Sequence, residues 1–299
     1  MLPYNDIMAA QVLVNSLITG GLYALIAFGF VLIYNTLRMI PFFYGALALW
    51  GGYFLFFFIS HGLPFSVGLI LAAAALILAT VLLNSWLLQG FREKKASSVV
   101  LLILGLALGT FMENLTLAAF GPEVKSISLP FENTIFTVAG ATFTLTQLVI
   151  ILSSVPFLIF SFYLLYRTRW GLIIRALTTE PLMAEILGVD RERTFRRVFA
   201  FTGLVAALVG MLYAIEYNLE PTAGTSLIVK AFTAVVIGGM NVLPAAIFGG
   251  YLLGVIENLS VLFLPAAFKD GVTFIILFLF LLLRPKGIFG RKSREEISG

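Results

Sequence analysis

The feature that most constrains this chain is a series of apolar blocks, each about as long as a membrane-crossing helix. A transmembrane helix needs about 20 predominantly apolar residues, and blocks of this kind follow one another through the sequence. Only 11% of the 299 residues are charged, which is less than half of the share in soluble domains, about 25%. So few charges cannot cover a soluble fold. We therefore predict an all-α polytopic membrane protein with a single transmembrane domain, residues 1–299.

The apolar blocks predict about eight to nine transmembrane helices. Glycine and proline interrupt one long apolar region at 238–244, and this leaves a short block, 227–239, that either crosses the bilayer or re-enters it. The count is nine if that block crosses and eight if it does not. The predicted spans are 9–34, 42–59, 65–88, 98–120, 143–166, 198–217, 227–239, 245–264 and 272–283.

The distribution of Lys and Arg predicts the orientation, because cytoplasmic segments of membrane proteins carry an excess of these residues. With the N-terminus outside and the C-terminus cytoplasmic, all of the 19 Lys and Arg residues except Lys125, Lys230 and Lys269 lie on the cytoplasmic side. They concentrate in a loop at 167–197 and in a basic tail at 284–299. The net charge of +4 therefore indicates topology, and no nucleic-acid partner is predicted.

Composition excludes several kinds of chemistry. The chain has no cysteine and a single histidine, His61. Disulfides, thiolate metal sites and cysteine nucleophiles are thereby excluded, and no metal site is predicted. The first residues lack the basic segment of a cleavable signal peptide, so the first apolar block is predicted to be a retained span.

Residues 121–142 separate two predicted spans and are more polar than either, and the region 121–145 also includes the start of the second span. The segments 133–138 and 141–145 alternate polar and apolar residues around Ala139-Gly140, a pattern typical of two short strands and a turn. We predict a small external β-hairpin here, and a plain surface loop is the alternative.

The loop at 167–197 contains the pattern of a short amphipathic helix. Thr178 or Thr179 would cap its N-terminus with Pro181 in the first turn, and Gly188 would end it. Its apolar face consists of Leu182, Ile186 and Leu187. Such a helix lies on the lipid surface, serves as a plain connector, or docks into a groove of a partner protein. The pattern alone favours the first two.

Five motifs in order along most of the chain carry a resemblance to a known family. Four of them lie within 15–53, 199–210, 230–257 and 284–290. The fifth lies in the loop at 167–197 and consists of Gly171, Arg175-Ala176, Glu180, Ala184 and Leu187-Gly188-Val189. Together they resemble the permeases of branched-chain amino-acid ABC importers, in particular the shorter, H-type member of the two paired permeases.

The resemblance implies partners and a mechanism. The helix that couples the permease to an ATPase would include Arg175, Ala176, Glu180, Ala184, Leu187 and Gly188. The implied partners are two ABC ATPase subunits, a second related permease in a heterodimer, and an extracytoplasmic substrate-binding protein. The implied location is the cytoplasmic (inner) membrane of a bacterium or archaeon.

No cofactor and no catalytic residue are predicted on this chain. The sequence has no Gly-x-x-x-x-Gly-Lys-Ser/Thr loop of the kind that binds ATP phosphates. By the resemblance, ATP and Mg bind to the partner ATPase subunits, so the chain itself is predicted not to be an enzyme.

One departure from the family pattern concerns the substrate. The family usually has Asn-Phe-Ala-(His or Gln)-Gly-acid after the first span, whereas this chain has Pro41-Phe42-Phe43-Tyr44-Gly45-Ala46. The acid and the amide or imidazole are absent. Besides branched-chain amino acids, this leaves open urea, amides and aromatic acids, which relatives in the family carry.

Polar residues within the spans are candidates for the substrate path, because ionisable groups are costly in lipid and usually functional. Path-lining and structural roles are equally open for Glu113, whereas a structural role is favoured for Glu257. Lys230 either extends toward the interface or pairs with Glu216 or Glu220. The predicted path residues are Asn15, Thr19, Tyr44, Glu113, Asn114, Gly238, Gly239 and Asn241.

Two other functions compete with the ABC permease. An ion-driven secondary transporter would act without a nucleotide-binding partner and would use Glu113, Glu257 and the interrupted helix. A membrane-embedded enzyme is disfavoured by the absence of cysteine, the single histidine and the lack of a clustered acid pair.

Overall fold

The computed structural model describes residues 4–94, 96–127, 135–138 and 141–289, and helices dominate it. A π-helical turn (Leu83–Leu88) connects α3 to α4, and a short 3-10 turn (Ala266–Phe268) precedes the last helix. The helices are α1 (Tyr4–Leu37), α2 (Tyr44–Ser60), α3 (Phe65–Leu82), α4 (Gln89–Glu93), α5 (Ser98–Phe120), α6 (Leu145–Arg167), α7 (Arg169–Thr179), α8 (Pro181–Ile186), α9 (Arg191–Glu216), α10 (Ala223–Gly238), α11 (Leu243–Ser260) and α12 (Lys269–Leu283).

Seven helices in the described part of the chain are long and apolar enough to cross a membrane. They are Met8–Leu37, Phe65–Glu93, Ser98–Phe120, Leu145–Arg167, Arg191–Glu216, Leu243–Ser260 and Ala266–Leu283. Two further apolar helices, α2 and α10, are shorter, with 17 and 16 residues. An apolar helix therefore stands at each predicted span, which confirms the helical class.

Helix α1 forms the centre of the bundle. Its most apolar stretch is 94% buried, whereas only 6% of the corresponding stretch of α12 is buried. Helix α1 packs most extensively against α11, and also against α6, α9 and α10. A Cβ added to Gly254 of α11 would lie 2.6 Å from the Cα of Gly20 in α1. Small residues at such crossings let helix backbones approach closely in lipid.

The predicted hairpin is present as strands β1 (Ile135–Val138) and β2 (Ala141–Thr144), which pair antiparallel with Phe136 opposite Phe143. The predicted turn, Ala139-Gly140, lies outside the described residues. Gln11 of α1 fastens the hairpin: its amide donates to the Thr142 carbonyl (3.0 Å) and accepts from the Thr142 N–H (2.9 Å).

The bundle has two chemically different ends. At one end, which we call the basic end, Arg38 donates to the Thr178 carbonyl at 2.8 Å and Arg92 pairs with Glu192 at 2.7 Å. The first contact joins the end of α1 to α7. The second joins α4 to the start of α9. The opposite, hairpin end contains β1, β2 and the loop between α9 and α10, where Leu219 exchanges backbone hydrogen bonds with Lys125.

The C-terminal residues 284–289 return to the end of α10. The N–H groups of Ile288 and Phe289 donate to the carbonyls of Ile237 and Gly238 at 2.8 and 3.0 Å. The last carbonyls of a helix have no hydrogen-bond partners within the helix. Residues 284–289 supply N–H donors for two of them. Gly287 has φ +74°, and a Cβ there would lie 2.7 Å from the Gly239 nitrogen, so the close approach requires glycine.

Candidate functional site

The α7–α8 segment at the basic end is anchored by α7. Thr168 caps this helix by accepting from the Gly171 N–H at 3.3 Å. A Cβ on Gly171 would lie 2.1 Å from the Leu165 carbonyl oxygen, so α7 turns tightly against the end of α6. The Arg175 guanidinium lies 5.2 Å from the Tyr166 ring centroid and donates to the Tyr166 carbonyl at 3.5 Å.

Helix α8 has the proline start and the glycine stop that its sequence predicts. Pro181 occupies the first turn, and Gly188 has φ +86° just beyond the helix. The predicted cap is wrong. The hydroxyls of Thr178 and Thr179 both donate to the Arg175 carbonyl at 2.9 Å, which is back-bonding within the last turn of α7. Glu180 holds the capping position without a side-chain cap.

Four large apolar side chains of α8 and its end are exposed, and we call them the α8 patch. Their exposed fractions are 74% for Leu182, 56% for Met183, 71% for Ile186 and 77% for Leu187. Ala184, on the opposite face, is buried. The apolar face predicted from sequence therefore points away from the bundle. Of the predicted coupling residues, Glu180, Leu187 and Gly188 are exposed, and Arg175 and Ala176 are half-buried.

A second polar cluster at the basic end was not predicted. Arg92 donates to Asn84 Oδ1 at 2.9 Å and to Glu192 at 2.7 Å, and its guanidinium lies 4.7 Å from the Phe195 ring centroid. This joins the π-helical turn to the start of α9. The sequence signal was Asn84 inside an apolar block with a basic residue two turns later.

We expect Arg92→Ala to lower the free energy of unfolding by about 2–3 kcal/mol, because hydrogen bonds to charged groups contribute about 1.5–3 kcal/mol. The Arg92 side chain is only 11% exposed. Arg193→Ala is the matched control, because Arg193 is 66% exposed and its pair with Asp190 spans 3.5 Å. Exposed pairs contribute at most about 1 kcal/mol. Thermal denaturation of the two purified variants measures the loss of stability in each. Equal losses of stability would contradict a special role for Arg92.

Polar cavities surround the first half of α10. One of them, which we call the α10 cavity, has a volume of about 450 Å³ and lies between α5, α10 and α12. A second cavity of about 350 Å³ lies on the side of α1 and α9, and a third of about 230 Å³ lies toward α2 and α5. The α10 cavity is lined by Glu113, Thr222, Thr225, Ser226, Val229, Lys230, Asp270, Thr273 and Phe274.

Lys230 stands between the first two cavities and lines both. Its ammonium lies 3.1 Å from Asp270 Oδ1 and donates to the Tyr23 hydroxyl at 3.0 Å. Lys230 therefore pairs with Asp270 and not with Glu216 or Glu220, which was one of the two alternatives open from the sequence. Glu216 instead accepts from Gln147 at 2.9 Å.

Glu257 is buried between α1, α11 and α12. It accepts hydrogen bonds from Tyr23 at 2.7 Å and from Thr273, and its Oε1 lies 3.8 Å from the Lys230 ammonium. Its neighbour Asn258 donates to Thr19 at 2.7 Å. A buried carboxylate that is bonded from two other helices holds the bundle together, in agreement with the structural role favoured by the sequence.

Two of the predicted path residues line cavities. Glu113 lines the first and third cavities and accepts from the Thr225 hydroxyl at 2.6 Å. Thr19 lines the second. Asn114 lies on the exposed face of α5, where its amide donates to the Thr110 carbonyl at 2.8 Å.

The other predicted path residues lie elsewhere. Asn15 accepts from Gln11 at 3.2 Å near the hairpin. Tyr44 is fully buried and donates to the Thr202 carbonyl at 3.0 Å. Gly238, Gly239 and Asn241 form the turn between α10 and α11 at the basic end, beside the C-terminal segment.

A bundle of apolar helices long enough to cross a bilayer, with charged residues around a cavity and an exposed helical segment at its basic end, is the architecture of a multi-pass integral membrane protein. Residues 12–281 match the family described as "Branched-chain amino acid transport system / permease component". The chain belongs to this family of ABC-transport permeases and is a multi-pass protein of the bacterial or archaeal inner membrane.

Similar proteins of the family cover nearly the whole chain. "High-affinity branched-chain amino acid transport system permease protein LivH" of Escherichia coli (strain K12) is 31% identical, covering 96% of this chain and 97% of its own. The corresponding protein BraD of Pseudomonas aeruginosa is also 31% identical, with the same coverage. A "probable branched-chain amino acid transport permease protein LivH" of Methanocaldococcus jannaschii is 28% identical, covering 96% and 94%.

One solved structure shares the fold. "PsaBC from Streptococcus pneumoniae in complex with Fab" matches with a TM-score of 0.51 and 12% identity, and the match covers 94% of each chain. At this identity the likeness concerns the fold alone.

Proposed function

We propose that this chain is the H-type permease subunit of an ABC importer for branched-chain amino acids or related small metabolites. The observation that carries the proposal is the family match over 12–281, together with an exposed apolar helix on the basic end. In this function a binding protein delivers substrate to the outer face, and ATP hydrolysis by partner subunits drives alternating access.

The α8 patch is the proposed docking surface for an ATPase subunit. An exposed apolar helix face rimmed by charge is what a groove on a partner protein accepts. The surrounding basic end is cytoplasmic by the positive-inside rule, which puts the patch where ATP is available. Glu185 pairs with Arg191 at 3.3 Å on the rim.

The proposed topology has the N-terminus outside, the C-terminus cytoplasmic and nine crossings, with α2 and α10 as short spans. Helix α9 begins at the basic end and ends beside the hairpin, and α10 returns to the turn bound by residues 284–289. At 1.5 Å per residue, a 16-residue helix is about 24 Å long. This is shorter than a bilayer core of about 30 Å, so α10 depends on the buried surroundings that the bundle provides.

A second permease is proposed to cover the side of α5 and α12. The α10 cavity opens between these helices and carries Glu113, Lys230 and Asp270. Charged groups are costly when they face hydrocarbon, so a polar or protein surface is needed there. A related permease in a heterodimer supplies such a surface and completes the path.

The proposed substrates include branched-chain amino acids, which the names of the relatives specify, and related small metabolites. Phe42 and Ala46, from the segment that departs from the family pattern, line the third cavity together with Glu113. A wall that lacks the amide and acid of the family favours an apolar ligand side chain at this point. Branched-chain amino acids fit this chemistry better than urea does.

The experiment that tests the function is uptake by proteoliposomes that contain this chain with its genomic partner subunits. We expect leucine uptake that requires both ATP and the binding protein. Uptake by this chain alone under an ion gradient would instead establish the secondary transporter.

A further inference from the structure

We propose that the α10 cavity binds the charged head group of an α-amino acid, with Lys230 holding the carboxylate and Glu113 holding the ammonium group. This inference rests on the proposed function, which requires a path for a small metabolite through the bundle. It adds the residues that contact the ligand and the chemical class that they select.

The cavity has the size and lining of a small-molecule site. Such sites occupy about 300–1,000 Å³ and combine apolar walls with a few convergent polar groups, and this cavity measures about 450 Å³. Val229 and Phe274 supply apolar surface, Glu113 and Asp270 supply carboxylates, and Lys230 supplies an ammonium that is paired with Asp270 at 3.1 Å in this structure. A neutral ligand with two opposite charges and an apolar side chain complements this lining.

The Lys230 ammonium has capacity for a ligand carboxylate. It has three N–H donors, and the Tyr23 hydroxyl at 3.0 Å takes one. Glu257 lies at 3.8 Å, which is longer than a hydrogen bond, and its oxygens accept from Tyr23 and Thr273 instead. Asp270 takes another donor, but its side chain is 61% exposed. A carboxylate entering the cavity can therefore replace Asp270 at the ammonium.

Glu113 provides the opposite charge in the same cavity. A carboxylate offers about four acceptor positions, of which the Thr225 hydroxyl occupies one. The remaining positions can accept from a ligand ammonium group.

An amino-acid head group carries both charges and can bridge an ammonium and a carboxylate that line one cavity. Two charge-assisted hydrogen bonds of about 2.8 Å, joined by about 3 Å between the amino nitrogen and a carboxylate oxygen, reach about 8–9 Å. A ligand that carries only an amine or only a carboxylate satisfies one end of the cavity and leaves the other unpaired. The site is therefore expected to discriminate against both.

Site-specific labelling tests this proposal cleanly, because the native chain contains no cysteine. Ser226→Cys and Thr222→Cys place single reporters in the cavity wall, and Val124→Cys is the control at an exposed position near the hairpin, away from the proposed ATPase docking surface. The complex with its partner subunits, free of binding protein, is treated with a maleimide in the presence of L-leucine, isoamylamine or isocaproate. The two analogues lack the carboxylate and the amine, respectively.

We expect saturating L-leucine to slow labelling of the cavity reporters about fivefold or more, since accessibility falls as 1/(1 + [L]/Kd). Neither analogue should do so, and Val124→Cys should label at the same rate throughout. Adding Lys230→Met should abolish the protection, whereas Lys230→Arg should preserve part of it. Equal protection by all three compounds, protection that survives Lys230→Met, or no protection at either reporter would overturn the proposal.

Leucine uptake by the unmodified complex separates this inference from the proposed function. If ATP-driven uptake occurs but leucine protects neither reporter, the importer stands and the binding site is wrong. If leucine protects the reporters but no ATP-driven uptake occurs, the site stands and the importer is wrong.

Discussion

Leu187→Glu is expected to reduce ATP-driven uptake at least about 100-fold while the protein still reaches the membrane. Leu187 is 77% exposed at the end of α8, so the substitution disturbs no internal packing. Burying an unpaired carboxylate in an apolar groove costs several kcal/mol, and about 2.8 kcal/mol already corresponds to a hundredfold loss of affinity. The partner ATPase should then hydrolyse ATP without responding to the loaded binding protein.

Two matched variants make this result specific to the α8 patch. Val124→Glu introduces the same charge at a similarly accessible apolar residue, 54% exposed, near the hairpin, and should leave uptake unchanged. Leu187→Met keeps the apolar surface and should also transport normally. Normal uptake and normal ATPase stimulation by the Leu187→Glu protein would remove α8 from the docking surface.

Gly210→Ala is expected to produce the largest loss of stability. A Cβ at this position of α9 would lie 1.8 Å from the Ala48 carbonyl oxygen and 2.9 Å from the Gly52 nitrogen, both in α2. Two backbones must separate to admit one methyl group. Overpacking of this kind costs up to about 3 kcal/mol, occasionally more, which corresponds to a melting temperature about 6 °C or more lower.

Gly90→Ala is the control for this substitution. Gly90 lies in α4, and no heavy atom would come within 4 Å of its added Cβ. Alanine in an exposed helix is favoured over glycine by about 1 kcal/mol, so this variant should melt at the wild-type temperature or slightly above. Thermal denaturation of the detergent-solubilised complex compares the two. A Gly210→Ala protein as stable as Gly90→Ala would refute the close crossing of α2 and α9.

The positions of the helices were predictable, because in lipid each apolar segment must satisfy its own backbone hydrogen bonds. The predicted span 65–88 is helical throughout, although its last turn, Leu83–Leu88, is π-helical. The stop at Gly188 and the start at Pro181 were also predictable, since each depends on the backbone preference of one residue.

Pairings between helices could not be read from the sequence. From the sequence, Lys230 was open to extend toward the interface or to pair with Glu216 or Glu220, which are close along the chain, but it pairs with Asp270 of α12. The neighbours of α10 are determined by how the helices pack, and spacing along the chain carries no information about them. For the same reason the sequence did not show that Tyr44, a predicted path residue, lies in the core. It also did not show that Gly238, another predicted path residue, lies at the basic end.

The C-terminal segment that binds the end of α10 has a consequence for biogenesis. Ile237 and Gly238 are synthesised well before Ile288 and Phe289, which donate hydrogen bonds to their carbonyls. Until then the end of α10 lacks these donors. Closure of this helix end therefore has to wait until the chain has been synthesised past residue 289, long after α10 itself.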